Sequence, residues 1–325
     1  MAFHTFYARL AVPSRTLADR RLSKTITRLG AGLFATGLSF GLAMPALSAD
    51  PFRTTSEYNI GEHTEAAFEA IFKEGDYVAA EAALAEAEIS EADDPLVHAM
   101  LASLAYLEAR RDSSRWDEVA NRATLTKQSA EALKETEPLR GHLYSAVGTF
   151  LEGAHMLKTQ GVARGTPRAL AMLQTVFSEL DKAEAIDATD PELNLLKGYM
   201  DLMLAVNLPF SDPEDAIARM SQYGSPTYLT QRGLAIGYRD LDQIENAMNA
   251  VNEAIAAAPD NPELKYLKAQ LLVRQDKQAE SIPLFEEALQ YKDQLPDALV
   301  QRITWEGCIA GGTDPEECSR QVGYN

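Results

Sequence analysis

The sequence predicts an all-α fold: a solenoid of about six antiparallel helix pairs, closed by a C-terminal capping helix. Three observations predict it. Residues 228–299 hold one pattern twice. The first copy runs Leu234-Ala-Ile-Gly-Tyr238, Ala247-Met248, Val251, Ala254-Ile255 and Pro259-Asp-Asn-Pro262; the second runs Leu267-Lys-Ala-Gln-Leu-Leu272, Ser281-Ile282, Phe285, Ala288-Leu289 and Leu295-Pro296. Ala254 and Ala288 are 34 residues apart, and so are Pro262 and Pro296. Elsewhere apolar residues recur at helical spacing, as in Ala66, Phe68, Ile71 and Phe72. Finally, Asp94-Pro95, Asp190-Pro191, Asp212-Pro213, Asn261-Pro262 and Asp314-Pro315 repeat one helix-start signal. An Asx side chain accepts from orphan amide N–H groups, and proline loses nothing at the first helical position.

Taken in order, residues 1–49 read as an address. Arg9, Arg15, Arg20, Arg21, Lys24 and Arg28 precede an apolar run over 29–44 and then Pro45-Ala-Leu-Ser-Ala49, the layout of a cleaved signal peptide. Cleavage is placed after Ala49, with Ser48 as the alternative. The apolar run is short for a membrane span. Arg20-Arg21 raises a twin-arginine route, but Leu22-Ser23-Lys24 lacks the apolar residues expected next. Residues 50–59 are polar and aperiodic, an extended lead-in. Residues 60–310 form a single helical array, with the clearest repeats at 60–94, 228–261 and 262–295.

Within that array the first hairpin pairs 62–73 with 76–88 across Gly75-Asp76-Tyr77. The irregular middle reads as helices 96–109, 115–134, 138–158 and 167–186, the last two separated by a loop over 159–166. Residues 192–206 are apolar on nearly all faces, so they predict a central buried helix. Asn207-Leu-Pro-Phe210 breaks it, and a short helix, 213–222, fills the gap before the tandem. A last helix, 297–310, covers the exposed end of the core, as repeat arrays require. Its Trp305 is expected to pack inward. The C-terminal segment 311–325 is expected to be pinned by Cys308 and Cys318, the two cysteines of the chain, since export into an oxidising compartment allows that disulfide.

A 34-residue period of two helices is the spacing of a tetratricopeptide (TPR) repeat. The Gly75-Asp76-Tyr77 turn and the small residues Ala80 and Ala87 fit that pattern too. A wider set resembles one exported, TPR-like cyanobacterial family whose members have no assigned activity. It comprises Pro51-Phe-Arg-Thr, Ile60-Gly-Glu-His-Thr-Glu-Ala-Ala-Phe-Glu-Ala70, Ala102-Ser-Leu-Ala-Tyr-Leu107, Pro138-Leu-Arg-Gly-His-Leu-Tyr144, Phe150-Leu-Glu-Gly153, Arg164-Gly-Thr-Pro167, the run 190–210, and Arg232-Gly-Leu-Ala-Ile-Gly-Tyr-Arg-Asp240. The resemblance implies a right-handed TPR-like solenoid and a cell-envelope location, the periplasm first and the thylakoid lumen second. It implies no reaction.

Composition narrows the function classes. The formal net charge is −18 and the acid excess lies wholly beyond residue 49. Such a chain repels nucleic acid and anionic membrane surfaces. No catalytic constellation has the required spacing. His63, His98, His142 and His155 form no i, i+3 or i+4 pair, so no helical metal site is indicated. Gly148-Thr-Phe-Leu-Glu-Gly153 lacks the lysine of a phosphate loop. No cofactor and no metal are expected, and the chain is read as a non-enzyme.

Two candidate sites remain. In a TPR array the first helices of successive repeats line a concave face that captures a protein or peptide. Arg232, Ile236 and Arg239, then Tyr266, Gln270, Val273 and Arg274, occupy those positions, and the arginines suit carboxylate capture. Exposed arginines also commonly pair with neighbouring acids such as Asp240 or Asp242. A second candidate is a small-ligand pocket around the 159–167 loop, lined by Arg140, His142, Tyr144, Glu152, His155, Arg164 and Arg168. A self-associating structural component of the envelope is the third reading.

Overall fold

A computed structural model of the chain describes residues 50–54, 58–109, 112–207 and 213–323, without the side chains of 162–166 and 206–207. The leader at 1–49 lies outside the described residues, as do Asp212 of the helix-start signals and most of the break expected at 207–210. The described residues form fourteen α-helices and no strand. Helix α1 spans Glu62–Glu69 and widens into a π-helical turn over Ala70–Glu74; α2 is Tyr77–Ser90, α3 Pro95–Ala109 and α4 Trp116–Leu133. Then come α5 Pro138–Gln160, α6 Val162–Ile186, α7 Pro191–Asn207 and α8 Pro213–Tyr223. The tandem supplies α9 Thr227–Asp240, α10 Ile244–Ala257, α11 Pro262–Arg274 and α12 Gln278–Leu289; α13 Asp297–Ala310 and α14 Pro315–Val322 close the chain.

The start signals act as caps. Asp94 Oδ1 accepts from the amide of Leu96, Asp190 Oδ1 from that of Leu193, Asn261 Oδ1 from that of Glu263, and Asp314 Oδ1 from that of Glu316, all at 2.8–2.9 Å. Helices adjacent in sequence pack side by side, most closely α3 to α4, α4 to α5, α5 to α6 and α9 to α10. Small residues on the second helix of each pair permit that approach: Ala80, Ala87, Ala247, Ala254 and Ala288 are all completely buried, as are Leu84 and Val251 on the same helices. Each fully buried Leu of this core contributes about 1.5–3 kcal/mol. The expected burial of α7 is found, with Leu193, Leu195, Leu196, Tyr199, Met200 and Leu202 all in the core. Cys308 and Cys318 are joined as a disulfide between α13 and α14. Trp305 is half-buried and its indole N–H donates to Ser319 Oγ of α14 at 2.9 Å.

Two expectations need correction. The loop expected at 159–166 is helical: α5 runs to Gln160, α6 begins at Val162, and Gly161 alone separates them. Gly161 has φ +77°, a left-handed value that lets the chain reverse within one residue. Pro167 lies inside α6 as its sixth residue, just past the first turn, where its missing N–H forgoes one bond of the helical ladder. The lead-in is also more than a spacer. Phe52 is buried with its ring edge-on to Phe68, centroids 4.8 Å apart, so the segment docks into the core.

The first hairpin also reaches the far end of the chain. Tyr77 donates to Glu263 Oε1 at 2.8 Å, and Asn261 Nδ2 donates to the carbonyl of Phe72 at 3.1 Å. Gly75 has φ +69°, and a Cβ there would lie 2.8 Å from Pro262 Cδ. Only glycine satisfies both the conformation and the contact.

Helix α9 crosses α7 through glycine. A Cβ on Gly233 would lie 2.6 Å from Tyr199 Cζ and one on Gly237 2.8 Å from Leu202 Cδ1, whereas a Cβ on Gly153 meets nothing within 4 Å. Gly233→Val is therefore expected to cost at least about 1–3 kcal/mol by overpacking. Gly153→Ala is expected to be neutral or to stabilise by about 0.5–1 kcal/mol. Urea denaturation of the two variants checks the contrast.

Candidate functional site

Among the described residues, the most concentrated buried chemistry is an ionic cluster where the N-termini of α3, α5 and α7 meet the docked lead-in. Its centre is Glu192, fully buried at the second position of α7. Tyr144 of α5 donates to Glu192 Oε1 at 2.6 Å. Glu192 Oε2 accepts from Arg53 Nη2 at 3.1 Å and from Arg140 Nε at 3.3 Å. Arg53 further binds Asp190 at 2.5 Å and Asp50 at 2.8 Å. Arg140 further binds Asp94 at 3.0 Å and Glu137 at 3.1 Å. The Tyr58 ring lies 4.4 Å from the Arg53 guanidinium carbon.

Each helix-capping aspartate here works twice. Asp94 and Asp190 bind a backbone N–H at their own helix start and an arginine from a distant segment. Burial pushes the Glu192 carboxyl up, but Arg140 and Arg53 pull it down by more, and the net position lies below the usual carboxylate range. For Asp50 and Asp190 burial outweighs Arg53, and both sit above their ordinary values. Burial disfavours the Arg53 and Arg140 charges, yet the carboxylates around them prevail and raise both. Glu192 is thus a charged clamp with both oxygens occupied.

A second clamp repeats the first. Glu263 also follows an Asx-Pro helix start and is buried; Arg232 Nη2 binds its Oε2 at 2.6 Å and Tyr77 its Oε1 at 2.8 Å. One arginine and one tyrosine from other helices converge on the same helical position in both places.

The second clamp takes up Arg232 of the expected concave face, and burial removes most of the rest. Arg232, Ile236, Arg239, Tyr266 and Gln270 are all at most 8% exposed, so they form no open capture surface. Arg239 Nε binds Asp240 at 2.8 Å and its Nη1 donates to Gln270 Oε1 at 3.1 Å; Gln270 Nε2 donates onward to Glu306 at 2.7 Å. Arg274 is half-buried and donates to the Arg239 carbonyl at 2.6 Å. Helix packing and the first hairpin cover the row that an open array would expose.

The second candidate set divides. Arg140 and Tyr144 belong to the Glu192 clamp. His142 Nδ1 lies 2.7 Å from Glu179 Oε2 on α6, and Glu179 also binds Lys134 and Lys182. Glu152 pairs with Lys127 at 2.9 Å. The His155 ring stands 6.2 Å from that of Trp116. Arg168 is exposed, and the Arg164 side chain lies outside the described residues. With 162–170 helical, the loop that was to line a pocket is absent.

Sequence reasoning missed Asp50, Arg53, Glu192, Glu263 and Tyr77. The signal for two of them was present in the Asx-Pro-Glu triplets. Glu192 and Glu263 are buried, whereas Glu214 and Glu316 after the same Asp-Pro signal are exposed, so the triplet alone does not separate them. Among the described residues, no group of three or more His, Cys, Asp or Glu is arranged to hold a metal ion. No family model, curated protein or solved structure matches the chain.

Removing one partner of a buried, hydrogen-bonded ion pair costs about 3–5 kcal/mol, because the other charge is left stranded. Arg140→Leu is expected to fall in that range. Arg140→Leu combined with Glu192→Leu is expected to cost less than the sum of the two single changes, as a double-mutant cycle in urea will read. Glu179 offers a pH test. Burial raises its carboxyl, but hydrogen bonds from His142, Lys182 and Lys134 lower it to about 2. A carboxyl depressed in the folded state stabilises above its unfolded pKa and loses that stabilisation as pH falls through the folded value. Stability is therefore expected to drop from about pH 4.5 towards 2, and Glu179→Gln to flatten that limb in acid titrations of the urea midpoint.

Proposed function

We propose that this chain is an exported, non-catalytic scaffold of TPR-like type, a right-handed stack of about six helix pairs with a capping helix, that binds a protein or peptide. The observation that carries the reading is the commitment of its charged chemistry to internal clamps. Arg53, Arg140 and Arg232 join segments up to 139 residues apart. Groups so occupied shape a scaffold; a reactive centre needs lone pairs and protons that a substrate can reach. The leader-like N-terminus and the Cys308–Cys318 disulfide are compatible with export to an oxidising compartment, the periplasm first.

Partner recognition falls to surface outside the buried row. Among the described residues, helix α6 presents an apolar stripe: Leu170 is 46% and Phe177 42% exposed, with half-buried Leu173 between them on the same face. A partner segment with an apolar face suits this stripe, and the acidic surface disfavours nucleic acid.

The test is in-cell cross-linking of the tagged chain, with recovery from the envelope fraction. Wild type is expected to be exported and to capture one or a few partners. Phe177→Asp with Leu170→Asp is expected to retain the helical circular dichroism and lose them. Capture unaffected by the double change would remove the stripe from the reading. A product confined to the cytoplasm would remove export, and self-capture alone would favour a structural assembly.

A further inference from the structure

The clamp around Glu192 stands at the boundary that the sequence assigns to leader cleavage. Asp50 is 4% exposed, with Oδ1 accepting from the Phe52 amide at 2.9 Å and Oδ2 from Arg53 Nη1 at 2.8 Å. Phe52 is 2% exposed against Phe68. The first residue after the expected cut is thus a buried member of the core. A peptidase acts on chain that is exposed and locally free, so cleavage before Asp50 requires this segment to be undocked.

Among the described residues, the charges around Asp50 do not balance. Asp50, Asp94, Glu137, Asp190 and Glu192 supply five carboxylates, and Arg53 and Arg140 supply two guanidiniums. The starts of α3, α5 and α7 add only partial positive charge, about half a unit per helix. A buried anionic excess attracts one more cation within reach.

We propose that hydrolysis after Ala49 supplies that cation: the new α-ammonium of Asp50 seats in the Glu192 cluster, so leader removal completes the buried ion network and locks the lead-in onto α7. This rests on the export reading above. In the cleavage, water adds across the Ala49–Asp50 peptide bond under a leader peptidase; Ala49 leaves as a carboxylate, and the Asp50 nitrogen leaves as an amine that takes a proton. Before the cut the same nitrogen is an uncharged amide. The uncut chain therefore lacks one positive charge at this cluster, which keeps the segment less firmly docked while it must remain a substrate.

The charged groups of the cluster nearest Asp50 are its own carboxylate and Arg53, joined through that guanidinium to Asp190 and Glu192 of α7. Behind them stand Glu137, Arg140 and Tyr144 from α5, Asp94 from α3, and the ring of Tyr58; α1 contributes the apolar Phe68. The unfolded α-amino pKa is about 7.7–8.0. Anionic partners raise it in the folded state, so the stabilisation is complete below the unfolded value and is lost as pH rises through the folded one.

The test compares chains that begin at Asp50 with a free amine and with an acetylated one. At pH 6.5 the free-amine chain is expected to be more stable, by roughly tenfold in folding equilibrium for each unit of pKa shift. The gap in urea midpoint is expected to close by about pH 10, and Asp190→Asn, which keeps a helix-capping side chain but removes one of the five carboxylates, is expected to shrink it below that pH. Equal midpoints throughout, or a gap independent of pH as a purely steric effect of the acetyl group would give, overturn the proposal. Intact mass of the exported chain tests the cleavage itself. A product starting at Asp50 supports it; a retained leader or another N-terminus overturns the cleavage reading, while the pH-dependent gap separately reports whether the cluster holds an ammonium.

Discussion

Glu192 is the constraint on which the most distant parts of the chain depend. Its carboxylate is wholly inside the protein, where a bare charge is untenable, and three donors from two other segments make it tenable. Each donor is itself tied elsewhere: Arg53 to Asp50 and Asp190, Arg140 to Asp94 and Glu137. Ordering this one group therefore orders the lead-in and the starts of α3, α5 and α7 together. An apolar core sets compactness but tolerates sliding of one helix along another. A multiply bonded buried carboxylate admits one arrangement only, because any slip leaves a stranded charge.

The Glu263 clamp does the same at the other end. It binds Arg232 from the tandem and Tyr77 from the first hairpin, 186 residues earlier. Between them the two clamps draw first and last parts of the array into one body. A simple solenoid has contacts only between neighbours and flexes along its length. Cross-ties of this kind restrict that freedom and cover the inner row that an open array presents.

The helices were legible in the sequence because their determinants are local. The Asx-Pro starts, the 34-residue spacing of Ala254 and Ala288, and the glycine turn at Gly75 depend on residues a few positions apart. The stretch 159–166 was misread for the same reason in reverse. Gly161, Gly165 and Pro167 are punctuation by local rules, yet packing of α6 along α5 sustains the helix and leaves only Gly161 to make the turn. Asp50–Arg53 was legible only as polar and aperiodic. Nothing within it reveals that the Arg53 guanidinium has partners 137 and 139 residues away.

The sequence by itself determined the helical class, the pairing of neighbouring helices, the capping residues, the burial of α7 and the disulfide. These follow from periodicity, short connections and the rarity of cysteine. The tertiary structure alone decided which charged residues face water. Arg232, Arg239 and Arg140 carry the same chemistry as any surface arginine, and only the positions of Glu263, Gln270 and Glu192 across the fold make their burial favourable. Burial of a charge is a property of the partners that surround it in space, and those partners come from segments that no local pattern connects.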